Sequence, residues 1–409
     1  MNQRTREGNN QQPFLRTANV YWGKLDLTTL DRMHFEADEM QRLTLQPGDL
    51  LTCEGGNVGR TAIWRGELQQ CFHQNHVHRL RTQRSDVEPK FYMRWMEAAI
   101  TLLGLYAGAH NKTTIPNLSK NRLASFAVPL PPLPEQRAIA AVLRTVQGAK
   151  EACEQVLAAT RQLKQSLLHH LFTYRPVPFP QAAHVPLKET VIGSMPERWQ
   201  VLKLGDVARM HTGGTPARAK PAYWNGGIPW VRTGEVNYNV IRQTEETISE
   251  KGLENSAAKL IPAGTLLVAM YGQGVTRGCV AILGIEATVN QACAAVFPTE
   301  AVTTEFLYAV FVHGYERIRN MEHGAHQTNL SMTLLEQILI PVPPLPEQRE
   351  IAAQLSALDA KLAAEEARRA ALATLFQSLL HHLLTARLRL PEFLNAKAPR
   401  REAAKETAT

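Results

Sequence analysis

The sequence predicts an α+β fold built as an internal repeat. Two globular mixed α/β domains are separated by a pair of long antiparallel coiled-coil helices and related by a pseudo-two-fold axis. Three observations predict it. Residues 131–173 and 343–385 align without a gap at an offset of 212, with 24 of 43 positions identical, from PPLPEQR at one end to SLLHHL at the other. Each copy places apolar residues three and four apart, the spacing of a helical seam. The segments preceding the two copies, 1–130 and 197–342, share a Gly-rich, β-like texture and a series of short matching motifs in the same order.

The elements follow from local chemistry. Pro134 and Pro346 suit the first helical turn, where a missing N–H costs nothing, and Glu135 and Glu347 complement the positive helix end. The first seam runs through Ile139, Leu143, Val146, Cys153, Leu157, Leu163, Leu167 and Leu171. The second runs through Ile351, Leu355, Leu358, Leu362, Leu372, Leu375, Leu379 and Leu383, interrupted by Glu365 and Arg369. The first helix is expected to end near Tyr174, before Pro176, Pro178 and Pro180. A helix of ~38 residues extends about 57 Å.

This gives six segments: a first domain over 1–130, a helix over 131–175, a linker over 176–196, a second domain over 197–342, a helix over 343–385 and a basic tail over 386–409. PFLRTANV (13–20) matches PWVRTGEV (229–236), and GDLL (48–51) matches GTLL (264–267). Asn117-Leu118-Ser119 matches Asn329-Leu330-Ser331. Antiparallel helices let the second helix begin where the first ends, so the two domains are expected at opposite ends of the helical spacer.

Composition sets the class. A formal charge of +8 suits a polyanion partner or simply a soluble basic protein. No run of 18 apolar residues predicts a transmembrane helix, and Met1–Gln12 lacks the apolar core of a secretory signal. Five scattered cysteines, none in C-x-x-C spacing, argue against a disulfide framework and for a reducing cytoplasm.

PLPPLPEQ leading into a long helix, twice, each time after a domain such as the one opening with GSMPERWQVLKLGDV and GGTP, resembles the specificity subunit of type I restriction–modification systems. The resemblance implies two DNA target-recognition domains, each reading half of a bipartite asymmetric site. It implies double-stranded DNA, two modification (methyltransferase) subunits and restriction (motor-nuclease) subunits as partners. No cofactor, no membrane and no catalysis by the chain itself are implied. The second domain carries an opening stretch, 197–227, that the first lacks, so the first is expected to be short of about 30 residues of the family pattern.

Reading bases takes Arg, Lys, Asn or Gln at base edges, with other basic groups on phosphates. Arg16 and Arg232, the latter followed by Thr233, occupy matched positions and are either DNA contacts or ion-pair partners within the domain. Tyr271, Gln273 and Arg277 in one Gly-rich loop, and Asn57 and Arg60 in its counterpart, form either DNA-facing loops or solvated turns. Asn75-His76 and Asn290-Gln291 either read adenine edges or satisfy a turn. Lys112 and Gln327 precede the shared Asn-Leu-Ser, where Asn117 and Asn329 or Ser119 and Ser331 are expected to cap a helix. Ile139, Leu143, Leu163, Leu167, Ile351, Leu355, Leu375 and Leu379 are the candidate spacer and subunit-docking residues.

Catalytic signatures are weak. Cys71, His73, His76 and His78 fall on opposite faces of a strand, which argues against a metal site. There is no Walker A run and no N-P-P-[YF] stretch to hold a flipped adenine. Asp86-x-Glu88-x-Lys90 only faintly matches a nuclease triad. Rival readings are a self-contained nuclease or methyltransferase with a DNA-reading half, and a coiled-coil adaptor indifferent to DNA.

Overall fold

The computed structural model describes residues 8–105, 117–272, 276–321, 329–390 and 400–402. The chain forms two compact units, one contiguous and one not.

The first unit joins residues 1–155 to 366–409. Strand β1 (Gln11–Leu15) leads through a tight turn to the hairpin β2 (Val20–Tyr21) and β3 (Lys24–Leu25). β1 lies antiparallel to β4 (Asp31–His34) and parallel to β7 (Phe72–His73), giving the order β4-β1-β7. A second sheet sets β5 (Leu50–Cys53) between β6 (Thr61–Ile63) and β8 (Val77–Leu80), both antiparallel. Every residue of β5 is buried, so the strand is a continuous apolar run with only Thr52 polar. The helices are α1 (Ala37–Leu43), α2 (Pro89–Thr101), α3 (Lys120–Ala124), the first part of α4 (Leu133–Tyr174) and the last part of α10 (Leu345–Leu384). β9 (Val128–Leu130) precedes α4 and pairs antiparallel with β22 (Arg400–Glu402). α2 starts at Pro89, with the Glu88 side chain accepting from Lys90 N, and buries Phe91, Trp95 and Met96 against Ile139, Leu143, Phe376, Leu380 and Leu383. Each such side chain contributes about 1.5–3 kcal/mol on burial.

The second unit is the contiguous stretch 156–365. It opens with the hairpin β10 (Leu187–Thr190) and β11 (Gly193–Pro196), then β12 (Gln200–Lys203), which pairs antiparallel with β21 (Leu339–Val342). Its large sheet runs β13 (Ala208–Thr212), β20 (Cys293–Pro298), β17 (Leu266–Ala269), β18 (Val280–Leu283), β15 (Asn239–Ile241). The smaller sheet places β14 (Trp224–Val231) antiparallel to β16 (Glu246–Ile248) and parallel to β19 (Thr288–Val289). The helices are α5 (Leu204–Val207), α6 (Glu250–Glu254), α7 (Thr304–His313), α8 (Tyr315–Arg319) and α9 (Met332–Gln337), with the remainders of α4 and α10. Of the two candidate pairs in the matched Asn-Leu-Ser, Ser119 and Ser331 are the ones that cap α3 and α9.

Within the second unit Lys164 pairs with Asp359, and Arg175 lies 3.6 Å from Glu347. The partners step in opposite directions along the chain, so α4 and α10 run antiparallel. The seam departs from its sequence prediction at one matched place. Leu163 and Leu375 are 50% and 46% exposed, while Leu168, Phe376 and Leu380 are buried. Ile139, Leu143, Ile351 and Leu355 are buried inside their own units. They build the seam and offer no surface for subunit docking, which corrects that part of the prediction. Leu167 and Leu379 are partly buried against the same cores.

Candidate nucleic-acid interface

Both units repeat one local device. β1 and β14 are central strands, each parallel to a short neighbour, and each ends in an arginine that enters a 3-10 turn. The third residue after each arginine holds the turn. Asn19 Oδ1 accepts from Arg16 N at 3.1 Å, and Glu235 Oε2 accepts from Arg232 N at 2.7 Å. The turn aims the guanidinium outward: the side chains of Arg16 and Arg232 are 50% and 42% exposed. Each also meets an acid near the adjacent antiparallel strand, Asp31 at 3.0 Å for Arg16 and Glu245 for Arg232. Each arginine is therefore an ion-pair partner within its own unit and is also exposed to solvent.

Around Arg232 the second unit gathers a polar rim. Asn290 Nδ2 donates to Thr233 Oγ1 at 2.9 Å, and Ala292 N donates to Asn290 Oδ1 at 3.2 Å, so Asn290 serves the turn. Gln291 is exposed beside it and its Oε1 accepts from the Thr215 hydroxyl. Burial pushes the Glu235 carboxyl above the usual range, opposed by the Arg232 N–H and charge. The sequence reading missed Arg218. Its guanidinium lies 3.9 Å from the Trp224 ring centroid and 4.8 Å from that of Trp230, and forks onto Glu246 at 2.8 and 2.9 Å. That fork holds the Glu246 carboxyl below its ordinary range. The run Ala217-Arg218-Ala219-Lys220-Pro221-Ala222-Tyr223-Trp224, basic residues interleaved with aromatics, was the available signal.

The Gly-rich loops are hairpin connections in both units, from β5 to β6 and from β17 to β18. Gly59 and Gly278 close them at φ +78° and +85°, a left-handed conformation that favours glycine. Arg60 lies 5.0 Å from the Tyr21 ring centroid, and Arg277 Nη2 donates to the Arg319 carbonyl at 2.6 Å. Tyr271 is 39% exposed at the loop entrance, and Asn57 is exposed on its loop. Gln273, Lys112 and Gln327 lie outside the described residues.

Asn75 and His76 occupy an exposed turn after β7, with His76 3.4 Å from Glu54. His73 Nδ1 and His78 Nε2 donate to the carbonyls of Val77 (3.0 Å) and Leu118 (2.7 Å), and burial lowers the His73 pKa. No metal-binding group of His, Cys, Asp or Glu occurs among the described residues. All five cysteines are buried thiols, with Cys53 and Cys71 pushed up to about 11 and Cys293 to about 12 by desolvation. Asp86 is forked by Arg84, and Glu88 caps α2, so both acids have local structural work.

The PPLPEQ motif proves to be a clasp, and the glutamine is the part the sequence reading missed. Gln136 Oε1 accepts from Glu88 N at the start of α2, and its amide donates to the Asp86 and Pro131 carbonyls, each contact at 2.8 Å. Gln348 repeats this on Thr303 N at the start of α7 and on the Ala301 and Pro343 carbonyls. Both glutamines are buried, at 1% and 0% exposure. Glu135 and Glu347 are buried too, each against arginine.

The family model for the type I restriction modification DNA specificity domain matches residues 16–158 and 196–374. The MjaIX specificity subunit of Methanocaldococcus jannaschii is 32% identical over 177 residues, covering 42% of this chain and 40% of that protein. This chain thus spans less than half of that relative in the matched region. The MjaX protein of the same organism, described as a putative type I specificity subunit, is 22% identical over 390 residues, covering 92% of this chain and 87% of that one. The S subunit structure from M. genitalium shares the fold at a TM-score of 0.56 and 16% identity, over 94% of this chain and 91% of that chain. With both of its units matched, the chain belongs to the family of type I restriction–modification DNA specificity proteins.

Proposed function

We propose that this chain is the DNA sequence-recognition subunit of a type I restriction–modification complex. It binds a bipartite, asymmetric double-stranded site and positions two modification subunits and the restriction subunits, and it catalyses nothing itself. The observation that carries this reading is one scaffold used twice with unlike rims. Arg16 sits with Asn19 and Asp31 in one unit, and Arg232 with Glu235 and Glu245 in the other. Like scaffolds with unlike side chains suit two unlike half-sites. Arg232, Gln291 and Tyr271 are the proposed contacts in the second unit, and Arg16, Asn57, Asn75 and His76 in the first. Leu163 and Leu375, half-exposed at matched places on the two helices, are the proposed docking points for the modification subunits.

The test is reconstitution. The chain alone, given target DNA with S-adenosylmethionine or Mg²⁺, is expected to leave it unchanged. With its modification subunits it is expected to direct adenine methylation to a two-part motif. Affinity should fall steeply with salt, since each phosphate contact contributes a slope of about −0.9 in log K against log salt. Cleavage or methylation by the chain alone would assign the chemistry to it instead, and salt-indifferent binding would favour the adaptor.

A further inference from the structure

We infer that the stretch after the last long helix, in its described residues 385–390 and 400–402, is a working part of the first recognition unit. It closes a strand edge and holds a buried glutamate that the second unit closes and holds with residues 175–203. Three independent equivalences carry this.

The first is the exit from each long helix. α4 ends at Tyr174 and Arg175 turns the chain at φ +64°; α10 ends at Leu384 and Ala386 turns it at φ +56°. A left-handed residue is a common helix stop, and it costs strain at a non-glycine unless the surroundings hold it.

The second is the glutamate. Glu347, 9% exposed, accepts from Trp199 Nε1 at 2.7 Å and pairs with Arg198. Glu135, 4% exposed, has its two oxygens forked by Arg389 at 3.0 and 2.6 Å. A buried carboxylate without such partners is strongly unfavourable, so each unit needs an arginine at this place. The second unit takes it from upstream in the chain. The first takes it from 254 residues downstream.

The third is strand register. β12 covers β21 with Gln200 opposite Val342, Val201 opposite Pro341 and Leu202 opposite Ile340. β22 covers β9 with Arg400 opposite Leu130, Arg401 opposite Pro129 and Glu402 opposite Val128. Under the 212-residue repeat, Val128, Pro129 and Leu130 correspond to Ile340, Pro341 and Val342. The two covering strands therefore sit in the same register, and each masks an edge that would otherwise present unpaired N–H and C=O groups.

The consequence is functional. β9 leads directly into PPLPEQ, and Gln136 of that motif pins the start of α2, so the far end of the chain fixes the frame of the first recognition unit. Arg389 is a positioning residue for whatever that unit binds. Only this last step rests on the DNA-reading proposal.

Hydrogen exchange on the full-length chain tests it without DNA. Arg389→Ala, and separately Arg400→Pro with Arg401→Pro, should speed exchange over residues 128–140 roughly tenfold or more, the scale of a lost charge-assisted hydrogen bond. Residues 340–352 should be unchanged as the internal control. The charge exchange Glu135→Arg with Arg389→Glu should restore part of the protection lost in either single variant. Wild-type exchange in both variants would overturn the inference. So would equal acceleration of both segments, or protection that appears only when the chain self-associates. A chain that binds no DNA but shows the selective pattern upholds this inference while refuting the proposed function.

Discussion

The two units build the same inner sheet and finish it differently. β5, β6 and β8 in the first unit correspond to β17, β18 and β20 in the second, with the same antiparallel order. In the second unit β13 covers the outer edge of β20 over five residues. In the first unit, among the described residues, β8 remains an edge strand. Its protection is side-chain chemistry. Arg79 donates to the carbonyls of Arg42 and Thr44 at 2.7 and 3.1 Å, and Arg81 forks onto the buried Asp49 at 2.6 and 2.7 Å. A strand can be replaced at an edge by basic side chains, which also discourage a stray strand from adding there. It cannot be replaced beside PPLPEQ, where both units keep a covering strand and a buried ion pair.

The largest effects should be common to both units. Leu171→Ala and Leu383→Ala, at matched and buried seam positions, should each cost about 3 kcal/mol in denaturant unfolding, the scale of a core cavity. Gln136→Ala and Gln348→Ala should each cost about 1–3 kcal/mol, because one buried carbonyl, with a part-buried N–H and a second part-buried carbonyl, loses its partner. Unequal losses between the partners of either pair would break the equivalence.

A smaller effect should fall on the first unit alone. Arg81→Ala leaves Asp49, 1% exposed, without its fork; with the arginine itself partly exposed, the expected loss is about 2 kcal/mol. Proteolysis should then open the first unit before the second. Equal opening of both would show that the β8 edge does not depend on this pair.

Binding should separate the rims. Arg232→Ala is expected to weaken specific DNA binding by about 1–3 kcal/mol relative to Lys361→Ala, while leaving stability nearly intact. Glu245→Gln, which removes the competing acid, should raise affinity and steepen its salt dependence. If Arg232→Ala lowers the unfolding midpoint and leaves binding alone, the arginine is a structural ion-pair partner. The smallest effect is expected at Leu163→Ser and Leu375→Ser, within about 0.5 kcal/mol of wild type in stability. Their readout is assembly with modification subunits, and normal assembly would remove these leucines from the docking surface.

Much of this was legible in the residues. The 212-residue offset, the Pro-Glu helix starts, the Tyr174 stop and the serine caps are local or self-similar features, and each depends on neighbours within a turn or two of chain. The repeat also paired Arg16 with Arg232, and the two hold one place in one turn. The acids opposite them were not readable, since Asp31 and Glu245 come from neighbouring strand regions whose pairing the one-dimensional pattern leaves open.

By itself, then, the sequence determined the repeat, the two long helices and the kinds of element around them, because hydrophobic period and capping act through short-range sterics and hydrogen bonds. The tertiary structure alone decided that Leu163 and Leu375 of the seam face outward, and that Gln136 and Gln348 serve as clasps. It alone joined Arg389 to Glu135 across 254 residues. Such choices depend on which distant buried charge or strand edge would otherwise be left without a partner, and that is known only once the chain has closed on itself.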